Sequence, residues 1–379
     1  MNQQDENATK VAHLTSAHGR FDTRIYLKEC KSLAANGFDV SLVVADGLPD
    51  ESRDGIQFYG VEKGQSRYTR MRRSSRLVYL KAKSLKADVY HLHDPELLPY
   101  ALKLQKQGAR VIFDAHEDLP KQLLSKPYIN PLVRRAIAWL LGVYEAYVCR
   151  RLSGVITATP TIRDKFAKIN TTTTDINNYP LLGELSTESS DWVRKSPSVC
   201  YIGGISTIRG CAELVEAMQS VGGPVKLQMA GNFTDSTIES RCKQSGGWER
   251  VNYLGYLNRE EVRDLLAVSM AGLVTFYPSP NHVDAQPNKM FEYMSSGIPV
   301  IGSRFPLWQE IIEGNNCGIC VDPLDPEEVA KAISFIVQNP DTAESMGENG
   351  KRAVEERYNW GVEEKRLIDY YTKLNERTS

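Results

Sequence analysis

Short runs of β-branched and other apolar residues alternate with helix-length amphipathic stretches along this chain, stop once, and start again. "KVAHLTS" (10–16), "DVSLVVAD" (39–46), "GIQFYG" (55–60), "ADVYHLH" (87–93), "ARVIFDAH" (109–116) and "GVITAT" (154–159) read as strands. Helical patterns fall between them over 22–37, closed by Gly37, over 67–86, from about Glu96 to Gln107, and from about Pro131 to Arg151. Apolar strands separated by helices imply a parallel sheet covered on both faces. The polar, turn-rich interval 170–197 breaks the pattern and reads as the end of one domain and a linker. The alternation then resumes with strands "SVCYIGG" (198–204), "VKLQMAG" (225–231), "VNYLG" (251–255), "GLVTFYP" (272–278) and "IPVIGS" (298–303). Two doubly wound, Rossmann-like α/β domains, 1–185 and 196–357, are therefore expected to face each other across a cleft, and 379 residues suit that number. In such sheets ligands bind beyond the carboxyl ends of the strands.

Composition narrows the class. Hydrophobic content of 41% and charged content of 25% are those of a globular protein. There is no apolar run of about 18 residues, and "MNQQDENATK" has no apolar leader segment, so the expected location is the cytoplasm. Seven cysteines, odd in number and mostly within apolar runs, favour reduced thiols; Cys317 and Cys320 form a CxxC with no second pair to make a metal site. The net charge of −1 hides an asymmetry, with 27 Lys/Arg against 21 Asp/Glu up to residue 190 and an acidic remainder. The excess lies in "RYTRMRRSSRLVYLKAKSLK" (67–86), which has eight cations and no acid. With Met71, Leu77, Val78, Tyr79, Leu80 and Leu85 interleaved, this is either a solvated helix or one facing an anionic membrane, and nucleic acid fits less well.

The segments that follow strands carry the polar residues. "SAHGRFD", "HLHDPE" and "DAHEDLP" bring His18, Arg20, Asp22, His93, Asp94, His116, Glu117 and Asp118 to one sheet edge. Asp22 and Asp94 precede helices and would each serve as caps, while the group together resembles a substrate rim. His91 and His93 project to the same side of a strand, but no third ligand is spaced to complete a metal set, so no metal is expected and His91 reads as a buried strand residue.

In the second half, "YIGGISTIRGCAELVEAM" places a Gly203-Gly204 turn after a strand and Arg209 near a helix start. "DAQPNKMFEYM" places Lys289 at another helix start, where a cation opposes the helix dipole at a cost of about 0.3–1 kcal/mol. An anion there removes the penalty, and two such cations at one sheet edge fit a diphosphate. Asp284 and Glu292 would be repelled by that diphosphate and are expected instead to accept hydrogen bonds from sugar or ribose hydroxyls. Otherwise Glu292 simply pairs with Lys289 one turn back.

The strand, glycine turn, Arg-Gly and helix, followed by "PNKMFEYMSSGIPVIGS" and "EIIEGNNCGICVDPLDPEEVAKAI", resemble a retaining glycosyltransferase of the GT-B fold, family 4 (glycosyl transferases group 1), over nearly the whole chain. The resemblance implies a nucleotide-diphosphate sugar donor, UDP- or GDP-linked, and a glycan or lipid-linked acceptor in cell-surface polysaccharide synthesis, with no cofactor and no metal. It assigns Glu292 to the ribose, Asp284 to the transferred sugar in place of the usual Glu, and Gly231, Tyr256 and Asn288 to the donor pocket. Arg209 stands where the family has a lysine, while Gly204 replaces its arginine, so Lys289 would supply the second cation. Gly19 is what remains of the family's N-terminal glycine-rich loop, and His116 matches a histidine that bonds a hydroxyl of the transferred sugar. Residues 358–379 resemble a tail helix that crosses back to the first domain. The apolar, cationic 125–154 and the basic 67–86 fit an acceptor at the inner membrane face, unless Trp139, Leu140, Leu141 and Val143 are ordinary core. The competing expectations are an epimerase or phosphorylase of the same architecture and an inactive nucleotide-sugar-binding subunit.

Overall fold

Eight strands form the first sheet: β1 (Lys10–Thr15), β2 (Asp39–Val44), β3 (Glu51–Arg53), β4 (Ile56–Gly60), β5 (Val89–Leu92), β6 (Arg110–Ala115), β7 (Gly154–Thr157) and β8 (Thr173–Asp175). This is a computed structural model, and it describes residues 8–124, 129–185, 192 and 195–376. The order across the sheet is β3-β4-β2-β1-β5-β6-β7-β8, parallel throughout except for the antiparallel β3–β4 pair. All four residues of β5 and five of the six in β1 and in β6 are buried, as a sheet covered on both faces requires.

The second sheet comprises β9 (Ser198–Ile202), β10 (Lys226–Ala230), β11 (Val251–Gly255), β12 (Ala271–Val274), β13 (Val300–Ser303) and β14 (Gly318–Val321), in the order β11-β10-β9-β12-β13-β14. Every pairing in it is parallel. The strand order reverses between β9 and β12, and in the first sheet between β1 and β5. Connections leave in opposite directions at such points and open a crevice at the carboxyl ends.

The chain divides into two compact units, one running to Asn178 and resuming at Val362, the other Tyr179–Gly361. The helix Trp360–Glu376 thus belongs almost wholly to the first unit, where Tyr371 is fully buried and meets the ring of Phe38. The second unit has an apolar layer on either face of its sheet. One contains Leu214, Leu227, Leu273 and Ile333, and the other Met290, Phe291, Tyr293 and Trp308.

Three strands escaped the sequence pattern. β3 is wholly exposed, and β8 is a polar Thr-Thr-Asp edge strand inside what reads as linker, of which residues 186–191, 193 and 194 lie outside the described residues. β14 contains Cys320 of the CxxC. Both of its cysteines are buried free thiols, each pushed up to about 12 by burial, which makes them packing groups. The basic segment is helical over Arg67–Thr69, Arg70–Ser74 and Ser75–Leu85, but of its apolar residues only Val78 and Ala82 are fully buried, and Met71 and Leu80 are exposed. Three of its cations are paired, Arg70 with Glu96, Arg73 with Glu62 and Lys81 with Asp50, so less free positive charge remains than the composition implies.

Candidate functional site

In the second unit, β9 is followed by Gly203, whose φ of +139° and tight surroundings require glycine. A Cβ there would lie 2.4 Å from Lys289 Cε and 3.4 Å from Arg209 Nη1, so both cations lean over the glycine turn. A Cβ on Gly204 would stand 3.1 Å from the same Arg209 nitrogen, which donates to the Gly204 carbonyl at 3.1 Å. Gly231, with φ +136°, lies against this turn: a Cβ on it would meet the Gly203 carbonyl oxygen at 1.8 Å. The ends of these two parallel strands thus approach as bare backbone, and a side chain at Gly203 or Gly231 would collide with its neighbours.

Lys289 lies in the first turn of the helix Asn288–Ser295, whose N-cap, Pro287, provides no side-chain acceptor. The helix-start N–H groups and the lysine therefore face the same region. Burial lowers the Lys289 pKa, and the nearby Arg209 and Arg259 lower it further against the pull of Glu292. A lysine held below its ordinary value by neighbouring cations is electrostatically under-compensated until an anion arrives. The Arg209 guanidinium also lies 5.6 Å from the centre of the Phe276 ring.

Glu292 forms its ion pair with Arg259 at 2.9 Å, rather than with Lys289 one turn back. Arg259 also reaches Glu184 at 2.8 Å, tying the helix Arg259–Val268 to the site. Arg259 went unnoticed in the sequence, although it carries the same signal as Arg209 and Lys289: a cation near the start of a helix that follows a strand. Asp284, partly buried, sits in the loop between β12 and the Lys289 helix, anchored by the Trp308 indole N–H donating to the Ala285 carbonyl at 2.7 Å. Asn288 is exposed at the helix start, and Tyr256 is 77% exposed just beyond β11.

In the first unit, the ends of β1, β5 and β6 bring His18, His93, Asp94 and His116 together. Asp94, fully buried, accepts from the Ser16 and Ala17 N–H groups at 2.6 and 3.1 Å and from the Thr15 hydroxyl at 2.8 Å, and pairs with His18 Nδ1 at 3.1 Å. It thus organises the loop after β1 and provides no side-chain cap to the following helical turn. Burial opposes the charge on His18, yet the Asp94 contact outweighs it and raises its pKa. His116 Nε2 lies 3.0 Å from Asp114 and 3.3 Å from His93 Nδ1; burial drops His93 to about 4, so it is neutral near pH 7.

Other expected rim residues go elsewhere. Arg20 is buried between Asp46 at 2.7 Å and Glu51 at 3.1 Å, which removes it from any ligand. Asp22 caps the helix that starts at Thr23, accepting from the Arg24 and Ile25 N–H groups. Gly19 is exposed with open space around it and no positive φ, so nothing local demands glycine. Glu117 is exposed and bonds Gln122, while Asp118 pairs with Lys165 at 3.0 Å. His91, as expected, is a buried strand residue, with Nδ1 2.8 Å from the Tyr371 hydroxyl.

The helix Pro131–Cys149 departs furthest from ordinary packing. Trp139 is 68% exposed, Leu140 58% and Val143 51%, and only Ala138, Glu145, Val148 and Cys149 are buried, so the expectation of ordinary core fails here. Residues 125–128, just before it, lie outside the described residues. No helix among the described residues is long and apolar enough to cross a membrane.

Residues 184–353 match the family model for glycosyl transferases group 1, and residues 24–176 match that of a glycosyl transferase 4-like domain. The chain is 24% identical over 250 residues to an uncharacterized glycosyltransferase of Methanocaldococcus jannaschii, covering 61% of each chain. It is 22% identical over 182 residues to alpha-D-kanosaminyltransferase of Streptomyces kanamyceticus, covering 47% of this chain and 46% of that one. The matched stretches therefore span less than two thirds of these relatives. Among solved structures it is similar to sucrose-phosphate synthase from Thermosynechococcus elongatus, with a TM-score of 0.78 at 18% identity over 97% of this chain and 100% of that one. It is also similar to Anabaena HepE in complex with UDP-glucose, with a TM-score of 0.73 at 16% identity over 96% and 99%.

Proposed function

The chain belongs to the group 1 glycosyltransferases of GT-B fold, and from that premise we propose that it moves a hexosyl or N-acetylhexosaminyl group from a UDP- or GDP-sugar to a glycan or lipid-linked acceptor. In this reading the transfer retains anomeric configuration, needs no metal, and serves cell-surface polysaccharide synthesis. The observation that carries the proposal is the pair of cations, Lys289 and Arg209, over the bare Gly203-Gly204 turn at an uncapped helix start. HepE, of like fold, was crystallised with UDP-glucose, which supports a nucleotide-sugar donor here.

Bond breaking at the anomeric carbon adds a negative charge to the terminal phosphate of the departing diphosphate. Lys289, Arg209 and the helix-start N–H groups are placed to stabilise it as it develops. Glu292 is assigned to the ribose hydroxyls, which would take over acceptor capacity now directed at Arg259. Asp284 and His116 are assigned to hydroxyls of the transferred sugar and His18 to the acceptor rim, while His93 and Asp94, also expected there, are buried behind it.

The test is a thermal-shift panel with UDP, GDP, ADP and CMP, each against its bare nucleoside, followed by the matching sugars. One nucleoside diphosphate should raise the midpoint well beyond its nucleoside, and Glu292→Ala should weaken both ligands. A chain that responds to none of them is no nucleotide-sugar enzyme. A chain that binds a nucleotide sugar but neither hydrolyses nor transfers the sugar is the inactive subunit instead.

The exposed Trp139, Leu140 and Val143, with Arg134 and Arg135 on the same helix, support attachment to an anionic membrane, which would seat a lipid-linked acceptor. The chain should co-sediment with phosphatidylglycerol-containing vesicles at low salt and release at high salt, and Trp139→Ser should reduce the bound fraction. No binding at low salt removes the membrane from the proposal.

A further inference from the structure

Beneath the acceptor-side rim, the first unit buries more ionisable groups than its hydrogen bonds satisfy. His13 on β1 is in direct register with His91 on β5, and His93 follows two residues on, so all three imidazoles face the same side of the sheet. The helix over Thr23–Cys30 covers that side and brings Glu29 to them. Glu29 Oε2 lies 3.9 Å from His13 Nδ1, 3.8 Å from His91 Nδ1 and 3.9 Å from His93 Nε2, and all four side chains are fully buried. His13 Nδ1 and His93 Nε2 are 2.9 Å apart.

Two features set this cluster apart from a satisfied polar core. Neither carboxylate oxygen of Glu29 has a hydrogen bond, and His13 Nε2 and His91 Nε2 are likewise unmet. Cationic partners are also scarce: Arg24 donates twice to Asp114, at 2.9 Å each, while its Nε lies 3.1 Å from Glu29, so one guanidinium is shared between two buried carboxyl groups. Bare carboxyl oxygens in a dry core are costly, and a cation held between Glu29 Oε2 and the imidazole nitrogens that face it gives that carboxylate the partner it lacks.

We propose that His13, Glu29, His91 and His93 form a structural site for one divalent transition-metal ion of the zinc class. Three imidazoles and a carboxylate suit such an ion. The three separations from Glu29 and the one between His13 and His93, 2.9–3.9 Å, bracket the spacing of about 3.3 Å that bonds of about 2.0–2.1 Å give in a tetrahedral set, and the donor atoms all lie within 4.8 Å of one another. His93 has the companion contact such ligands use, its other nitrogen Nδ1 lying 3.3 Å from the Asp114 carboxylate. The Tyr371 hydroxyl, now 2.8 Å from His91 Nδ1, turns away when that nitrogen takes the metal. With no exposed ligand, the ion enters during folding and ties β1, β5 and the first helix together beneath the rim.

The full chain, unfolded with chelator and refolded with a small excess of Zn2+ or Co2+, should retain about one ion per chain after desalting and show a higher thermal midpoint than the metal-free preparation. The cobalt form should give the visible bands of a tetrahedral nitrogen and oxygen set without a strong near-ultraviolet thiolate band. Glu29→Gln, which keeps the shape and removes the charge, should bind at least tenfold more weakly. Less than about a tenth of an ion per chain with an unmoved midpoint overturns the site, as does a thiolate band pointing to the cysteines. Full retention by both Glu29→Gln and His91→Ala overturns it as well. The wild-type measurement decides the matter even where a variant does not fold.

Discussion

Arg24→Met is expected to destabilise the first unit by about 3–5 kcal/mol, the range for removing one partner from a buried ion pair. Arg24 is 4% exposed, donates through two nitrogens to Asp114 and through a third to the Ile176 carbonyl at 2.7 Å. Met has comparable length and fills the volume, so the loss is electrostatic: two carboxylates, Glu29 and Asp114, would share a dry region with no guanidinium between them. Burial and the charge on Asp114 already push the Glu29 pKa well above its usual value against the pull of Arg24, and removing Arg24 raises it further. The measurement is chemical or thermal denaturation of wild type and variant, where a loss of this size lowers the midpoint by about 10 °C or more. A variant within about 1 kcal/mol of wild type would mean that the network is not ionised as described.

Lys289→Ala is expected to have the opposite signature. It should cut turnover by about 10²–10³-fold, the scale for losing one group that stabilises developing charge, and weaken a nucleoside diphosphate far more than the bare nucleoside. Yet the ligand-free chain should be no less stable, because Lys289 sits at the positive end of a helix beside Arg209, with its charged form disfavoured by burial. Activity assays with the donor found in the binding panel, together with midpoints of the empty chain, read both halves. Equal loss of diphosphate and nucleoside affinity would take Lys289 away from the phosphates.

Much of the second unit's site was legible because its signals are local. Gly203 and Gly204 close a strand, Arg209 stands just ahead of a helix start and Lys289 in a first helical turn, and each is readable within about ten residues of sequence. Arg259 carried the same signal but had no meaning until the fold placed it 2.9 Å from Glu292. The first unit's rim was read less well. Arg20 looks like a loop cation, and only the return of Asp46 and Glu51 beside it shows that it holds the loop together. The strands missed were β3 and β8, at the two ends of the first sheet, and β14, at one end of the second. An edge strand is covered by fewer neighbours and need not show the apolar run by which strands are recognised.

The sequence alone determined the two-sheet α/β architecture, the strand ends where chemistry would gather, and the helix-start cations, because the periodicity of side chains and the preferences of glycine are properties of the local backbone. Tertiary structure decided which distant groups share a charge balance. His91 and His93 alone offered an incomplete ligand pair; the β1–β5 register delivered His13, and the helix over the sheet delivered Glu29. Such proximity depends on how strands align and which helix covers them. It is set by packing summed over the whole sheet, so no single stretch of the chain records it.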